Sequence, residues 1–192
     1  KITIMVSDFI DINPEGVVDA VLADTGKMQT FANDLLNFIQ VHNLDGVNMD
    51  LEHIPKDNSV DGQSNKPKVV TFAQKIYNTL KGYNSNYHVS WATPKTAENK
   101  FTPPVWDLSQ LYKYVDAFTI MSYVYRSLTG GFTGTNQPFT GGPVVGSIYG
   151  QSTPTKQYNF QNTVSEYVLS GVPPNKIVMG IGVYGYEWTN LN

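Results

Sequence analysis

The stretch NLDGVNMDLEHIP, residues 43–55, determines how we interpret the rest of the chain. Apolar and polar residues alternate over residues 47–51, which is the period of a β-strand. Side chains two positions apart lie on the same face of a strand, so Asn48, Asp50 and Glu52 should project together. Two carboxylates on one face are costly in a core unless they are paired or functional. The stretch therefore predicts a functional site at the C-terminal end of a strand.

The composition limits the classes of partner. The chain has 192 residues, enough for one domain, with 41% hydrophobic and 15% charged residues. A net charge of −3 gives no basic surface, so nucleic acid is not an expected partner. Apolar runs are shorter than a membrane span, and we predict no membrane partner. The absence of cysteine excludes disulfides and thiolate metal sites.

Apolar patterns elsewhere predict alternating strands and helices. Runs rich in apolar and β-branched residues predict strands at 1–6, 87–93, 115–125 and 176–184. Apolar residues at helical spacing predict a first helix that starts at 31 and ends near 42–43, further helices at 69–80 and 162–169, and a short helix at 106–112. Thr30 is the expected N-cap of the first helix.

This alternation indicates an α/β fold with a parallel sheet and helical crossovers. Five strands are compatible with an open doubly wound sheet or with part of a (β/α)8 barrel. Both architectures place their chemistry at the C-terminal ends of the strands. Glu52 lies at such an end in either case.

Residues 45–52, DGVNMDLE, resemble the D-G-x-D-x-D-x-E signature on strand 4 of glycoside hydrolase family 18. This family contains chitinases and N-acetylglucosaminidases. Three further resemblances follow in the family's order. They are FTIMSY at 118–123, similar to the M-x-Y motif of strand 6, the glycine-rich loop at 131–138, and KIVMGI at 176–181 with Tyr184, similar to strand 7.

The resemblance implies a (β/α)8 TIM barrel that is present only in part. About five parallel strands, strands 3 to 7 of the family, would form a single partial catalytic domain over residues 1–192. An unclosed barrel exposes sheet edges. We therefore expect low activity from residues 1–192 alone and a route to self-association through those edges.

The resemblance also assigns roles to individual residues in substrate-assisted retaining hydrolysis. Glu52 would be the general acid and then the general base. Asp50 would hold the N–H of the substrate's acetamido group, and Tyr123 would hydrogen-bond its oxygen. Asp45, Asn48 and Met121 would be supporting residues.

The implied substrate is chitin or another N-acetylglucosamine-containing oligosaccharide. Trp91, Trp188 and Tyr184 are the candidate substrate-binding residues, although tryptophans pack in cores as readily as they stack on sugars. The implied mechanism needs no cofactor, and the histidines lack metal-ligand spacing, so no metal is predicted. The family resemblance implies a secreted, extracellular protein.

Some positions depart from the family pattern. Asn48 stands where the family usually has Asp, and we expect its amide to donate to Asp50 and keep that residue ionised. Strand 3 lacks the family's S-x-G-G motif and has Met5-Val6-Ser7-Asp8 in its place. This departure leaves open what supports the acidic row, by which we mean Asn48, Asp50 and Glu52. Val124 replaces the acidic residue that often follows M-x-Y.

Three other functions remain open at this point. A non-hydrolytic, chitin-binding chi-lectin would share the fold, although such proteins typically lose the acid that Glu52 represents. A peptidoglycan or N-glycan N-acetylglucosaminidase would share the mechanism. An unrelated open-sheet protein would carry the motif by chance.

Overall fold

The computed structural model of the protein describes residues 1–8, 16–96, 105–125, 135–141 and 159–187. Within these ranges the strands are β1 (Thr3–Ser7), β2 (Gly46–Asp50), β3 (His88–Pro94), β4 (Ala117–Met121) and β5 (Ile177–Met179). The α-helices are α1 (Val17–Leu22), α2 (Thr25–Val41), α3 (Lys66–Tyr83), α4 (Leu108–Leu111) and α5 (Phe160–Leu169). Short 3₁₀ turns occupy Tyr112–Tyr114 and Pro174–Lys176.

The strands form one sheet in the order β1-β2-β3-β4-β5, and every neighbouring pair is parallel. A doubly wound sheet reverses its strand order at a switch point, whereas a barrel adds each strand beside the preceding one. The sequential order therefore decides between the two predicted architectures. The expected partial (β/α)8 barrel is confirmed.

The core lies between the sheet and its helices. On the helix-facing side, Val47 and Met49 of β2 and Phe118 and Ile120 of β4 are completely buried. The opposite face is polar, and Thr3, Asn48, Ser90 and Thr119 line an open hollow there. This division explains the alternation in residues 47–51, because the two sets of side chains meet different environments.

The helices differ from the sequence prediction at their starts. Helix α2 begins at Thr25, because the Asp24 side chain caps it by accepting the backbone N–H groups of Gly26 at 2.7 Å and Lys27 at 3.2 Å. The predicted cap, Thr30, lies inside the helix. The segment 25–30 holds one apolar residue, so apolar spacing could not mark this first turn.

Strands β4 and β5 are shorter than predicted, ending at Met121 and Met179. Beyond them the chain leaves regular pairing but remains tied by local contacts. Ser122 Oγ donates a 2.7 Å hydrogen bond to the Gly180 carbonyl, and Gly180 N–H donates to Ile120 at 2.8 Å. These bonds hold the two strand ends together beside the predicted site. None of the described helices is long and apolar enough to cross a membrane.

Candidate active site

Asp50 is the last residue of β2 and lies opposite Ser7, the last residue of β1. Its side chain is buried, and among the described residues its Oδ1 atom has no hydrogen-bond partner. Burial raises the pKa of Asp50, the negative charge of Asp8 raises it further, and His53 acts in the opposite direction. The strand thus ends in a buried carboxylate with a free acceptor atom.

Glu52 follows two residues later and is exposed at the end of the sheet. Its backbone is held by Asp8, which comes directly after β1 and is buried. Asp8 Oδ1 accepts the backbone N–H of Glu52 at 2.8 Å, and Oδ2 accepts that of His53 at 2.9 Å. Sequence reasoning missed this residue, although an aspartate directly after a strand was a usable signal. Support for the acidic row, which the sequence left in doubt, comes from Asp8.

The environment of Glu52 favours its protonated form. Although the Glu52 side chain is exposed, protein atoms around its carboxyl group remove part of its solvation, and this is the largest effect that raises the pKa of Glu52; the negative charge of Asp50 is the next. Asp8 adds to the rise, while His53 and Lys95 oppose it. A carboxylic acid with a raised pKa can donate a proton closer to neutral pH than an ordinary glutamate can.

Tyr123 lies two residues beyond β4 and is half-buried. Partial burial first, and then the charge of Glu52, raise the pKa of Tyr123, so its hydroxyl stays a hydrogen-bond donor at neutral pH. Its ring meets that of Tyr184 edge-on, with 6.1 Å between the ring centroids. A Cβ atom on Gly180 would lie 3.3 Å from the Tyr123 ring, so a larger residue there would crowd the ring.

The structure therefore brings Asp50, Glu52, Tyr123 and Tyr184 to one end of the sheet. Tyr123 and Tyr184 are in ring contact, and the charges of Asp50 and Glu52 act on the Tyr123 hydroxyl. Met121 closes β4 in register with Pro94, at the same end. The catalytic and binding roles that the resemblance assigns to these residues stay predictions.

Trp91 does not belong to this group. It is 1% exposed and packs edge-on against Phe72 of α3 and against Trp106, with ring centroids 6.4 and 5.7 Å apart. A ring enclosed on the helix side of the sheet offers no face to a sugar. The substrate-stacking prediction for Trp91 is wrong, and the alternative of core packing holds. Trp188, the other candidate tryptophan, lies outside the described residues.

Asn48 makes a different contact from the one expected. Its Oδ1 atom accepts a 2.9 Å hydrogen bond from Ser90 Oγ on β3. Because Asp50 Oδ1 has no partner in the part of the chain described, the Asn48 amide does not donate to that atom. The pKa of Asp50 is raised, so the expectation that Asn48 keeps Asp50 ionised is not supported.

Asp45 lies at the other end of β2, about 16 Å from Asp50 along five residues of extended chain. Its Oδ2 atom accepts the backbone N–H of Ile2 at 2.6 Å, and its carbonyl accepts that of His88 at 2.7 Å. It therefore supports the start of the sheet and does not touch the acidic row.

Lys95 is a charged residue at this end that the sequence analysis did not select. It directly follows β3, is half-buried, and its Nζ atom lies 5.9 Å from the centroid of the Tyr125 ring. Burial lowers the pKa of Lys95, while the charge of Glu52 raises it. A cation thus faces the acidic row from the neighbouring strand.

The arrangement offers three chemical capabilities. Glu52 can donate and recover a proton, Asp50 can accept a hydrogen bond in a buried setting, and Tyr123 can donate one. Within the described ranges, no group of three or more His, Cys, Asp or Glu side chains could hold a metal ion. The set fits acid–base chemistry on a neutral polar substrate.

Known proteins are similar to this chain in sequence and in architecture. A curated relative, Chitinase 1 of Aphanocladium album, is 26% identical over 176 residues, which cover 86% of this chain and 37% of that protein. Human Chitinase-3-like protein 2 is 21% identical, with coverage of 98% of this chain and 46% of that protein. The chain thus spans less than half the length of these relatives.

Solved structures agree on the fold. The Group IV chitinase of Ostrinia furnacalis in complex with allosamidin superposes with a TM-score of 0.73 at 22% identity, over 93% of this chain and 46% of that one. The family model described as "Glycosyl hydrolases family 18" matches residues 18–192. This match extends over most of the chain and includes the acidic row and both tyrosines. The chain belongs to glycosyl hydrolase family 18.

Proposed function

We propose that this protein is a glycosidase that hydrolyses β-1,4-linked N-acetylglucosamine polymers, with chitin as its substrate. One observation carries the proposal: an exposed acid of raised pKa, Glu52, stands two residues after a buried carboxylate, Asp50. Family membership and the chitinases among the relatives support the same class of substrate. The activity proposed is that of the intact protein.

The first step is substrate-assisted, as in other members of this family. Glu52 protonates the oxygen of the glycosidic bond as that bond breaks. The oxygen of the substrate's own acetamido group attacks the anomeric carbon and forms an oxazolinium ion. The second step reverses the role of Glu52, whose carboxylate takes a proton from water as the water oxygen opens the ring. Both displacements invert the anomeric carbon, so its configuration is retained.

Asp50 and Tyr123 position the acetamido group for this attack. A buried acceptor without a partner is unfavourable, and a substrate N–H would satisfy Asp50 Oδ1. The Asp50 charge also stabilises the positive oxazolinium ion. The neutral Tyr123 hydroxyl would donate to the acetamido oxygen and hold it below the anomeric carbon. Tyr184, packed against Tyr123, would supply a contact for the sugar.

Two other functions use the same fold. A carbohydrate-binding protein without turnover would not need the acid, and the presence of Glu52 favours hydrolysis. A peptidoglycan or N-glycan N-acetylglucosaminidase would use the identical residues and differ only in the groups that line the cleft. An extracellular location is part of this proposal, and it rests on the family resemblance. Self-association through the open sheet edges is likewise proposed.

The decisive experiment measures release of a fluorophore from labelled chito-oligomers by the intact protein. Glu52→Gln removes the proton but keeps the shape of the side chain, and turnover should fall by about 10²–10⁴-fold while oligomer binding persists. Asp34→Asn, an exposed site on α2, is the control and should behave as wild type. Binding without turnover in the wild-type protein would instead support the lectin.

A further inference from the structure

The segment 135–141 crosses the ends of β4 and β5, and Asn136 makes its contacts at the Tyr123 turn. The backbone N–H of Val124 donates to Asn136 Oδ1 at 2.7 Å, and that of Tyr125 donates to the Asn136 carbonyl at 3.0 Å. One residue thus receives two consecutive N–H groups that follow Tyr123. These bonds fix the peptide plane between Tyr123 and Val124.

The residue that follows this peptide plane, Val124, is held in an unfavourable backbone conformation. Val124 has φ of 55°, in the left-handed region that β-branched residues avoid. Such a conformation persists only where surrounding contacts determine it, and it is found most often at functional sites. Among the bonds that Asn136 makes to described residues, the one from the Val124 N–H is the shortest.

Asn136 also reaches the other tyrosine of the site. Its Nδ2 group donates to the backbone carbonyl of Tyr184 at 3.2 Å. Since the Tyr184 ring packs edge-on against Tyr123, the Asn136 amide joins the two chain segments that carry these rings.

We propose that Asn136 is a positioning residue for the reaction: it holds the strained Tyr123–Val124 turn and thereby orients the Tyr123 hydroxyl toward the substrate's acetamido oxygen. This inference rests on the proposed hydrolytic function. Asn136 is not proposed as a catalytic residue, because its side-chain amide is hydrogen-bonded to the backbone groups of Val124 and Tyr184 and would not touch the substrate.

Gln137, the next residue, anchors the segment 135–141, so the role of Asn136 can be tested separately from that anchoring. Gln137 Nε2 donates to the carbonyls of Ser122 at 3.0 Å and Gly180 at 3.2 Å, which ties the segment to both strand ends. These bonds do not involve Asn136. Losing the Asn136 side chain should therefore release the turn while the strand ends stay connected.

The test measures kcat of the intact protein on chito-oligomers, together with its thermal unfolding. Asn136→Ala should lower kcat by about 10–100-fold, since a small displacement of the Tyr123 hydroxyl from its reactive position slows the reaction strongly. Asn159→Ala is the matched control, because the Asn159 side chain also makes two hydrogen bonds to backbone groups. It accepts the N–H of Asn162 in α5 and donates to the carbonyl of Gly141, at the far end of the same segment. Asn159→Ala should lower the unfolding temperature but leave kcat at the wild-type value.

A rescue experiment gives a result that a merely structural role would not. Glycine adopts a positive φ without steric cost, so Val124→Gly should restore most of the kcat lost in Asn136→Ala. In a Tyr123→Phe background, which lacks the hydroxyl to be oriented, Asn136→Ala should cause little further loss. Equal losses with and without the Tyr123 hydroxyl, or no rescue by Val124→Gly, would overturn the proposal.

The outcome also distinguishes this inference from the proposed function. If Glu52→Gln abolishes turnover while Asn136→Ala turns over like wild type, hydrolysis stands and the positioning role is wrong. If the wild-type protein shows no turnover, both are overturned.

Discussion

The buried carboxylate of Asp8 accepts the backbone N–H of Glu52 at 2.8 Å, so the end of β1 holds the main chain that carries the proposed acid. The contact spans 44 positions in the sequence. The position of Glu52 therefore depends on the neighbouring strand β1 as well as on its own stretch of chain. A charge-assisted hydrogen bond of this kind is stronger than a neutral one.

Asp8→Asn should weaken both stability and activity. An amide places an NH2 donor where one of the two acceptor oxygens stood, so the N–H of Glu52 or that of His53 would face a donor and lose its hydrogen bond. Losing one such bond should lower the free energy of unfolding by about 1.5–3 kcal/mol, and kcat should fall because Glu52 is less well held. Urea unfolding and turnover measure the two effects.

Asp61→Asn is the control for that substitution. Asp61 pairs with Lys68 and caps the backbone N–H of Gln63, but both contacts are exposed. Exposed pairs contribute little, so stability should change by less than about 1 kcal/mol and turnover should not change. An Asp8→Asn protein as stable and active as wild type would contradict the role given to Asp8.

The contrast between Asp8 and Asp50 shows what sequence can reveal of this site. The alternation of apolar and polar residues predicted that Asp50 and Glu52 lie on one face, because successive side chains of a strand point to opposite faces. Asp8 accepts backbone N–H groups that follow a different strand. Its position directly after β1 was a signal, but no local pattern shows which groups it contacts. The prediction that Trp91 binds substrate was wrong for another reason: an aromatic side chain can pack in a core as well as it can stack on a sugar.

In the fold, too, features set by local sequence patterns could be predicted, and features set by contacts between distant segments could not. The succession of strands and helices along the chain was predictable, because near-continuous apolar strands alternate with amphipathic helices. That alternation did not distinguish a doubly wound sheet from a barrel, and the order of the strands in the sheet does. The six-residue helix α1 was missed, since so short a helix shows less than two turns of periodicity. The ends of β4 and β5 depend on contacts made by Asn136 and Gln137, which lie in a segment without apolar pattern.

Removing the charge of Asp50 should shift the acidity of Glu52. The negative charge of Asp50 raises the pKa of Glu52, so Asp50→Asn should lower that pKa. The alkaline limb of residual kcat/KM, which reports loss of the proton from the free enzyme's acid, should move to lower pH. Activity at each pH gives the limb directly, and NMR titration of the Glu52 carboxyl gives an independent reading. An unmoved limb would contradict the coupling.

The same substitution should stabilise the protein at neutral pH. The folded-state pKa of Asp50 is raised, so its ionisation costs stability as pH rises above about 4, the usual value for aspartate. Asp50→Asn should therefore unfold at a higher temperature than wild type at pH 7, with the difference shrinking toward pH 3. Thermal unfolding at the two pH values measures this.

Asp116→Asn is a control of opposite sign. Burial alone would raise the pKa of Asp116. Hydrogen bonds from Lys81 and from the backbone N–H of Val89 outweigh this effect and lower the pKa. Its ionised form therefore stabilises the fold above about pH 4, and this contribution is lost as pH falls through the folded-state pKa. Asp116→Asn should be less stable than wild type at pH 7. Matching signs for Asp50→Asn and Asp116→Asn would refute this account.

Lys95 should act on Glu52 in the direction opposite to Asp50. Its positive charge lowers the pKa of Glu52, so Lys95→Met should move the alkaline limb of kcat/KM to higher pH. The shift should be smaller than that of Asp50→Asn, because Asp50 has the larger influence on Glu52. Lys95→Arg keeps the charge and serves as control. If Arg and Met shift the limb equally, the effect comes from packing and the charge argument is wrong.

Gly46, the first residue of β2, should tolerate no side chain. It has φ of 151°, and an added Cβ would overlap the backbone of His88, whose N–H donates to the Asp45 carbonyl beside it. Gly46→Ala must push β2 and β3 apart where they first pair, and we expect a loss of about 3 kcal/mol or more in urea unfolding. Gly82→Ala makes the same chemical change inside α3, where a Cβ meets no atom within 4 Å, and should stabilise the protein by about 0.5–1 kcal/mol. If both variants shift the unfolding midpoint in the same direction, the close approach of β2 to β3 at Gly46 is not what requires glycine there.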